Sequence, residues 1–133
     1  MVHEWALAEA IADYLQGLLR REAREGFRRA VIRLGTLQSI DREVLRFSLT
    51  EVLKYRGVAV EELVFRDEEA VFRCRRCGAT WTLKDLDISD DVREAMHFIP
   101  EVIHSYFKCP RCGSRDFEVV RGRGVYVEEV VFK

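Results

Sequence analysis

Two short segments decide how this sequence folds: Cys74-Arg75-Arg76-Cys77-Gly78 and Cys109-Pro110-Arg111-Cys112-Gly113. Each is a C-x-x-C-G motif, in which the two-residue gap lets both thiolates reach one metal ion. The glycine that follows permits the positive φ of a tight turn. Two such knuckles supply the four sulfurs of a tetrahedral Zn²⁺ site, and we predict that Cys74, Cys77, Cys109 and Cys112 are its ligands.

Four sulfur ligands leave no open coordination position, so the predicted zinc is structural and not catalytic. The alternative uses of these cysteines are a redox dithiol or a pair of disulfides. Redox C-x-x-C motifs normally occur once, within a thioredoxin-like pattern that this sequence lacks. The sequence also shows no Ser/His/Asp or Cys/His catalytic pattern, so we expect that the protein is not an enzyme.

The two C-x-x-C-G knuckles are also compatible with a second function, that of a zinc-ribbon module that binds nucleic acid or assists transcription. Six cations surround them, namely Arg73, Arg75, Arg76, Lys108, Arg111 and Arg115. Residues 67–115 nevertheless contain nine acids and eight bases, and four thiolates outweigh the charge of one Zn²⁺. The cations are expected to offset the thiolate charge, and we predict no binding to nucleic acid.

The whole chain has 133 residues, 48% hydrophobic and 34% charged, which is typical of one globular domain. Its 22 Lys and Arg are balanced by 23 Asp and Glu, so no overall positive field favours nucleic acid or an anionic membrane. The sequence has no apolar run long enough to cross a bilayer, and its first residues lack the cationic start of a secretory signal. We expect a soluble cytoplasmic protein, in a reducing compartment that disfavours disulfides.

Hydrophobic periodicity predicts the elements on both sides of the knuckles. Residues 4–24 and the segment from Asp41 to Tyr55 show the apolar stripe of amphipathic helices, and Gly26 and Gly57 mark their ends. Asp41 is the predicted N-cap of the second helix. Residues 27–37 alternate as a strand does. Its buried face is predicted to hold Ala30, Ile32 and Leu34, and its wet face Arg29, Val31 and Arg33. Further strands are predicted at 58–66, 69–73, 117–120 and 125–127, with the turn Arg121-Gly122-Arg123-Gly124 between the last two.

This order of elements predicts an α+β fold, a small β-sheet covered on one face by two helices, with an inserted zinc-ribbon-like subdomain. Because the last two strands share the apolar character of the first half, we expect both to join its sheet. The predicted division is therefore residues 1–66 plus 116–133 for the α+β domain and 67–115 for the zinc-binding subdomain.

The histidine closest to the amino terminus suggests a second metal site. A free terminal amine, the following backbone amides and the His3 imidazole can enclose Ni²⁺ or Cu²⁺ in a square plane. With Met1 retained, His3 is the third residue; with Met1 removed, Val2 supplies the amine and a fourth position stays open. The alternative is that His3 is a solvated or helix-capping residue. His97 and His104 lie among apolar neighbours, where histidines more often bond within the core than bind metals.

Taken together, these residues resemble the HypA/HybF family of nickel metallochaperones for [NiFe]-hydrogenase maturation. The matching features are His3-Glu4 opening a helix, the two cysteine pairs, and Arg121-Gly122-Arg123-Gly124 before the last strand. The long spacer with His97-Phe98-Ile99-Pro100-Glu101 resembles the archaeal branch. One difference is that Val2 stands between Met1 and His3, whereas the family pattern is Met-His-Glu.

The resemblance implies that His3 holds transferable nickel, with the backbone of Met1, Val2 and Glu4 as further donors, and that the cysteines hold structural zinc. It makes His97 a candidate additional donor. It also implies docking with a HypB-type GTPase and delivery of Ni²⁺ to the [NiFe]-hydrogenase large subunit. From the balanced charge and the lack of a long apolar run we predict no membrane partner. The long spacer leaves open a homo-oligomer in which knuckles exchange between chains.

Overall fold

The computed structural model describes the backbone of residues 2–133 and the side chains from His3 onward. The helices are α1 (Val2–Glu22), α2 (Arg42–Arg56), α3 (Asp90–Phe98) and α4 (Ile103–Tyr106). The strands are β1 (Gly26–Gly35), β2 (Ala59–Glu68), β3 (Val71–Cys74), β4 (Thr80–Thr82), β5 (Phe117–Arg121) and β6 (Val125–Phe132). Short 3-10 helices cover Thr36–Gln38, Leu83–Asp85 and Pro100–Val102.

The chain divides into two compact units, each with its own three-stranded sheet. The first unit contains Met1–Arg33, Ile40–Arg66 and Val125–Lys133, and the second contains Leu34–Ser39 and Asp67–Gly124. The sheet orders are β2-β1-β6 and β4-β3-β5.

The first unit is organised by helices α1 and α2. Asp41 caps α2 as predicted, because its carboxylate accepts hydrogen bonds from the N–H groups of Glu43 and Val44, both at 3.1 Å. Gly57 ends α2 at a φ of 70°. The apolar stripes of both helices are buried and the two helices pack against each other; these helical core residues are Ala8, Ile11, Ala12, Leu15, Leu45, Leu49, Val52 and Leu53.

The sheet of the first unit is mixed. Gly26 lies against Ala59, and Arg29 pairs with Glu62 at 3.4 Å, so β1 and β2 run parallel with α2 as the crossover. The Arg46 guanidinium of α2 lies 4.7 Å from the centre of the Phe65 ring on β2. The helices therefore lie on the face of the sheet that carries the Phe65 side chain. The predicted fold class, a small sheet covered on one face by two helices, is confirmed.

Two local predictions for the first unit are wrong. Val31 is fully buried instead of wet, because Arg29 and Arg33 beside it extend their stems to carboxylates and cover the strand. Helix α1 ends at Glu22 and not at the predicted residue 24, since Ala23 already adopts a φ of 51° and the Arg24 N–H bonds back to the Leu19 carbonyl at 3.0 Å.

The second unit includes strand β5, which we predicted in the other sheet. Phe117 of β5 lies opposite Cys74 of β3, and Phe117 packs edge-on against Phe72 and Trp81, with ring centroids 5.7 and 5.3 Å away. Phe117 is fully buried there. This aromatic cluster places β5 in the sheet β4-β3-β5, called here the knuckle sheet because its strand β3 ends at Cys74. Residues 116–124, and separately residues 34–39, belong to the second unit and not to the predicted first domain.

The Arg121-Gly122-Arg123-Gly124 segment connects strands of different sheets and therefore is not a hairpin turn. Gly122 has a φ of 84°, and a Cβ there would lie 2.4 Å from the Cα of Ala70. Its carbonyl accepts a hydrogen bond from the Leu37 N–H at 3.0 Å, and the Gly124 carbonyl accepts one from the Gly35 N–H at 2.7 Å. The absence of a side chain at Gly122 is what allows this close backbone crossing within the second unit.

Across residues 2–133, no helix combines the length and the apolar character needed to cross a membrane.

Candidate metal centres

The four cysteines lie together at the base of β3 and β5. Their sulfurs are all within 4.8 Å of one another, and among the described residues they form the one group of histidines, cysteines and carboxylates close enough to hold a metal ion. The Sγ atoms of Cys74 and Cys112 are 3.5 Å apart, and those of Cys77 and Cys109 are 3.6 Å apart. Sulfurs in a tetrahedron around Zn²⁺ at about 2.3 Å lie about 3.8 Å from each other. The donor set and its spacing therefore fit a four-sulfur metal site.

Each knuckle holds its first sulfur with the same backbone turn. In the first, the N–H of Cys77 points at Sγ of Cys74 at 3.4 Å, and the N–H of Gly78 bonds to the Cys74 carbonyl at 3.0 Å. In the second, the Cys112 N–H lies 3.5 Å from Sγ of Cys109. The glycine after each pair, Gly78 or Gly113, has a φ of 78°, as the motif predicts.

These turns favour ionised sulfur at the first position of each pair. Burial raises the pKa of Cys109, but hydrogen bonds from the N–H groups of Cys112 and Arg111 outweigh it and lower the pKa to about 6. The N–H of Cys77 lowers the pKa of Cys74 in the same way. The N–H of Ser114 lowers the pKa of Cys112, but burial and the three neighbouring sulfurs raise it to about 11. Four thiolates this close together need a cation to offset their repulsion.

The cations around the knuckles are partly engaged within the unit. Arg73 pairs with Glu118 across β3 and β5, and Arg75 pairs with Asp116 at 3.0 Å. Both carboxylates belong to the β5 segment, so they reduce the positive charge that these arginines offer to nucleic acid.

The predicted nickel residues of the first unit begin helix α1. Met1 lies outside the described residues, as does the side chain of Val2. His3 is partly buried in the first helical turn. Glu4 is only 3% exposed, and its Oε2 accepts a hydrogen bond from the backbone N–H of Asp41 at 3.4 Å.

His97 belongs to the second unit, where it pairs reciprocally with Gln38. Its Nδ1 lies 2.6 Å from the Gln38 carbonyl oxygen, and the Gln38 side-chain amide donates to the His97 carbonyl at 3.2 Å. The ring also makes an edge contact with Phe98, with centroids 5.0 Å apart. Because the carbonyl fixes the proton on Nδ1, the arrangement directs Nε2 to act as an acceptor or a metal donor.

Comparison with known proteins decides the family. The sequence model of the family described as "Hydrogenase/urease nickel incorporation, metallochaperone, hypA" matches residues 2–132. The chain belongs to the HypA family. The hydrogenase maturation factor HypA of Pyrococcus furiosus is 41% identical over 136 residues, covering 99% of this chain and 96% of that protein. The HypA of Pyrococcus abyssi is 46% identical, covering 95% and 92%. The predicted membership and its archaeal branch are confirmed.

Solved HypA structures share the fold. The solution structure of the nickel metallochaperone HypA from Helicobacter pylori superimposes with a TM-score of 0.64 at 13% identity, covering 97% of this chain and 96% of that one. A second HypA solution structure gives a TM-score of 0.62.

The sequence does not predict the roles that the structure gives to Gln38 and Asp41. Gln38, the partner of His97, carries no sequence signal, because both of its contacts are with a residue 59 positions away and one of them uses its backbone carbonyl. Asp41 was predicted only as the cap of α2, although its N–H also fixes Glu4. His104 is partly buried and not a core residue; its ring lies 4.2 Å from that of Phe117, and Nδ1 lies 3.3 Å from the Arg115 carbonyl.

Proposed function

We propose that this protein carries Ni²⁺ for the maturation of [NiFe]-hydrogenase, binding it at the amino terminus and holding a structural Zn²⁺ in the four-cysteine site. The observation that carries the proposal is the match of residues 2–132 to a family described by nickel incorporation. The relatives from two Pyrococcus species are named hydrogenase maturation factors.

The nickel donors in this proposal are the amino-terminal nitrogen, the His3 imidazole and backbone nitrogens of residues 1–4. The first turn of an α-helix has N–H groups without an intrahelical acceptor. His3 lies in that turn of α1, so its amide can lose a proton to nickel without breaking a helical hydrogen bond. Nitrogen donors in a square plane suit Ni²⁺.

The role of Glu4 in this proposal is electrostatic and geometric. The amino-terminal end of a helix carries a partial positive charge, which disfavours a bound cation. The carboxylate of Glu4 lies in the same turn, almost completely buried, and offsets that charge. The Asp41 N–H holds it in place.

Val2 leaves two arrangements for the terminal site. Removal of Met1 puts His3 in second place, and the terminal amine, the His3 amide and the imidazole then bind nickel with one position open. Retention of Met1 gives a chelate that uses the amine, two amides and the imidazole. The proposal covers both, because each uses His3 as the only side-chain nitrogen of the amino-terminal turn.

His97 is a candidate additional nickel donor. Histidines that bind metals usually donate their second ring N–H to a carbonyl or carboxylate. The Nδ1 contact with the Gln38 carbonyl, at 2.6 Å, is of this kind and supports Nε2 as the donor.

The zinc of this proposal is held by Cys74, Cys77, Cys109 and Cys112. It supplies folding energy to the second unit and leaves no position for water or substrate, which fits a carrier that is not an enzyme. The two metal sites therefore have different roles. The closed four-sulfur site retains its metal, whereas a site on the first helical turn can release one.

The proposal includes two protein partners, a HypB-type GTPase and the [NiFe]-hydrogenase large subunit. Nitrogen donors bind Cu²⁺ more tightly than Ni²⁺, so affinity alone cannot select nickel. Selection then comes from the metal supply in the cytoplasm and from docking with these partners.

Nickel titration by calorimetry tests the proposal. Untagged protein is expected to bind one Ni²⁺ per chain at the terminal site, and both His3→Ala and an amino-terminal extension are expected to abolish it. His104→Ala is the matched control, since that histidine packs on Phe117 in the second unit. Unchanged stoichiometric binding in both the variant and the extended protein would contradict the terminal site.

A further inference from the structure

A cleft between α1 and α2 has no role in the functions described so far. It lies in the first unit, has a volume of about 450 Å³, and is lined by Trp5, Glu9, Glu51, Val52, Tyr55 and Arg56. Its two aromatic side chains are unusually accessible: Trp5 is 45% exposed and Tyr55 is 94% exposed. None of the lining residues is among the predicted metal ligands.

The charge of this cleft is negative. Arg56 is its cation, and the Asp13 and Glu9 carboxylates both bind the Arg56 guanidinium. The Gln16 side-chain oxygen accepts a further hydrogen bond from Arg56 at 3.4 Å. Glu51 also lines the cleft, is exposed, and within residues 2–133 its carboxylate has no ion pair. The lining therefore has two carboxylates, Glu9 and Glu51, and one guanidinium that Glu9 and the neighbouring Asp13 already engage.

We propose that this cleft binds an arginine side chain presented by a protein partner. Aromatic rings attract a guanidinium to their faces, and a carboxylate beside them accepts its paired N–H groups. The accessible rings of Trp5 and Tyr55 and the carboxylate of Glu51 supply these elements in one cleft. The excess of carboxylates excludes an acidic segment or a nucleic acid backbone as the occupant.

This inference deepens the proposed function and rests on it, because a carrier has to dock with the proteins that load and unload it. Binding of one arginine side chain of the partner in this cleft accounts for part of that docking. The lining residues all belong to α1 and α2, and no cysteine is among them.

A blocked tripeptide, acetyl-Ala-Arg-Ala-amide, is the probe, added to ¹⁵N-labelled, metal-loaded full-length protein at low salt. The indole signal of Trp5 reports the cleft, while that of Trp81, 4% exposed in the other unit, is an internal reference. We expect a saturable shift of the Trp5 signal at about millimolar peptide, weakened by added salt. The peptide with Gln in place of Arg is expected to cause no shift. Equal shifts with both peptides, or none with either, overturn the proposal.

Two variants locate the site. Tyr55→Ala and Glu51→Gln are each expected to weaken arginine-peptide binding about threefold, as exposed cation–π and ion pairs predict. Glu94→Gln, an exposed carboxylate of the second unit, is the matched control and is expected to change nothing. Wild-type binding in both cleft variants also overturns the proposal.

A nickel titration of the same protein keeps the two proposals separate. If the protein binds no nickel at its amino terminus but the peptide still shifts the Trp5 signal, the proposed function is contradicted. Nickel binding without a peptide shift contradicts the cleft alone.

Discussion

Glu4 accepts a hydrogen bond from the backbone N–H of Asp41, at 3.4 Å, across 37 positions of the sequence. The bond joins the first turn of α1 to the capping residue of α2, so the beginning of each helix fixes the other. Glu4 is 3% exposed, which makes it a buried carboxylate next to the proposed nickel donor His3.

Replacement of Glu4 by Ala is expected to lower the free energy of unfolding by about 1–3 kcal/mol, because the Asp41 N–H loses its acceptor. Glu4→Gln keeps an acceptor oxygen and should cost less, but it removes the charge that offsets the helix end, so nickel affinity falls in both variants. Urea unfolding followed by circular dichroism and nickel titration measure the two effects. The exposed Glu25→Gln is the control. Wild-type nickel affinity in Glu4→Gln would show that the charge is not required.

The close backbone crossing at Gly122 predicts that a side chain there lowers stability, and Gly124 is the matched control position. A Cβ at Gly122 meets the Ala70 backbone at a φ of 84°, whereas a Cβ at Gly124 meets nothing within 4 Å. Gly122→Ala is expected to lose about 2–5 kcal/mol from strain and overlap, while Gly124→Ala changes stability by about 0.5 kcal/mol or less. Thermal and urea unfolding of both variants measure this. Equal stability of the two variants contradicts the crossing.

Replacement of Cys109 by Ser is expected to abolish zinc binding and unfold the knuckle sheet, because a structural zinc contributes its binding energy to folding. Zinc content by elemental analysis and the Trp81 indole signal, which reports the aromatic cluster with Phe72 and Phe117, are the measurements. Arg111→Ala changes the same knuckle without removing sulfur and should retain zinc. Full zinc content in Cys109→Ser would refute the four-sulfur assignment.

His97→Ala is expected to weaken nickel binding at least about tenfold if Nε2 donates to the metal as proposed. The same titration of His104→Ala separates loss of a ligand from loss of any histidine of the second unit. Unchanged nickel stoichiometry and affinity in His97→Ala removes His97 from the site.

The sequence predicted the elements whose signals are local. The cap at Asp41, the stop at Gly57 and the stripes of α1 and α2 depend on residues within a few positions of each other, and the structure agrees with them. The two C-x-x-C-G motifs likewise carry their turn geometry within five residues, so the gathering of all four sulfurs followed from spacing.

The predictions that failed concern contacts made across the chain. Strand β5 has the same apolar alternation as β6, and only the packing of Phe117 on Phe72 and Trp81 assigns it to the knuckle sheet. Strand alternation predicts Val31 on the wet face with Arg29 and Arg33, yet those arginines reach carboxylates on neighbouring strands and cover it. The partner of His97 was not predictable, since a backbone carbonyl leaves no trace in residue type.

X-ray absorption at the nickel edge, recorded on untagged protein loaded with one Ni²⁺ and on His3→Ala, tests the central claim most directly. The account predicts a first shell of nitrogen without sulfur and with imidazole scattering in the untagged protein, and no protein-bound nickel signal in His3→Ala. Sulfur in the first shell, or an unchanged imidazole signal in the variant, would contradict nickel binding at the amino terminus.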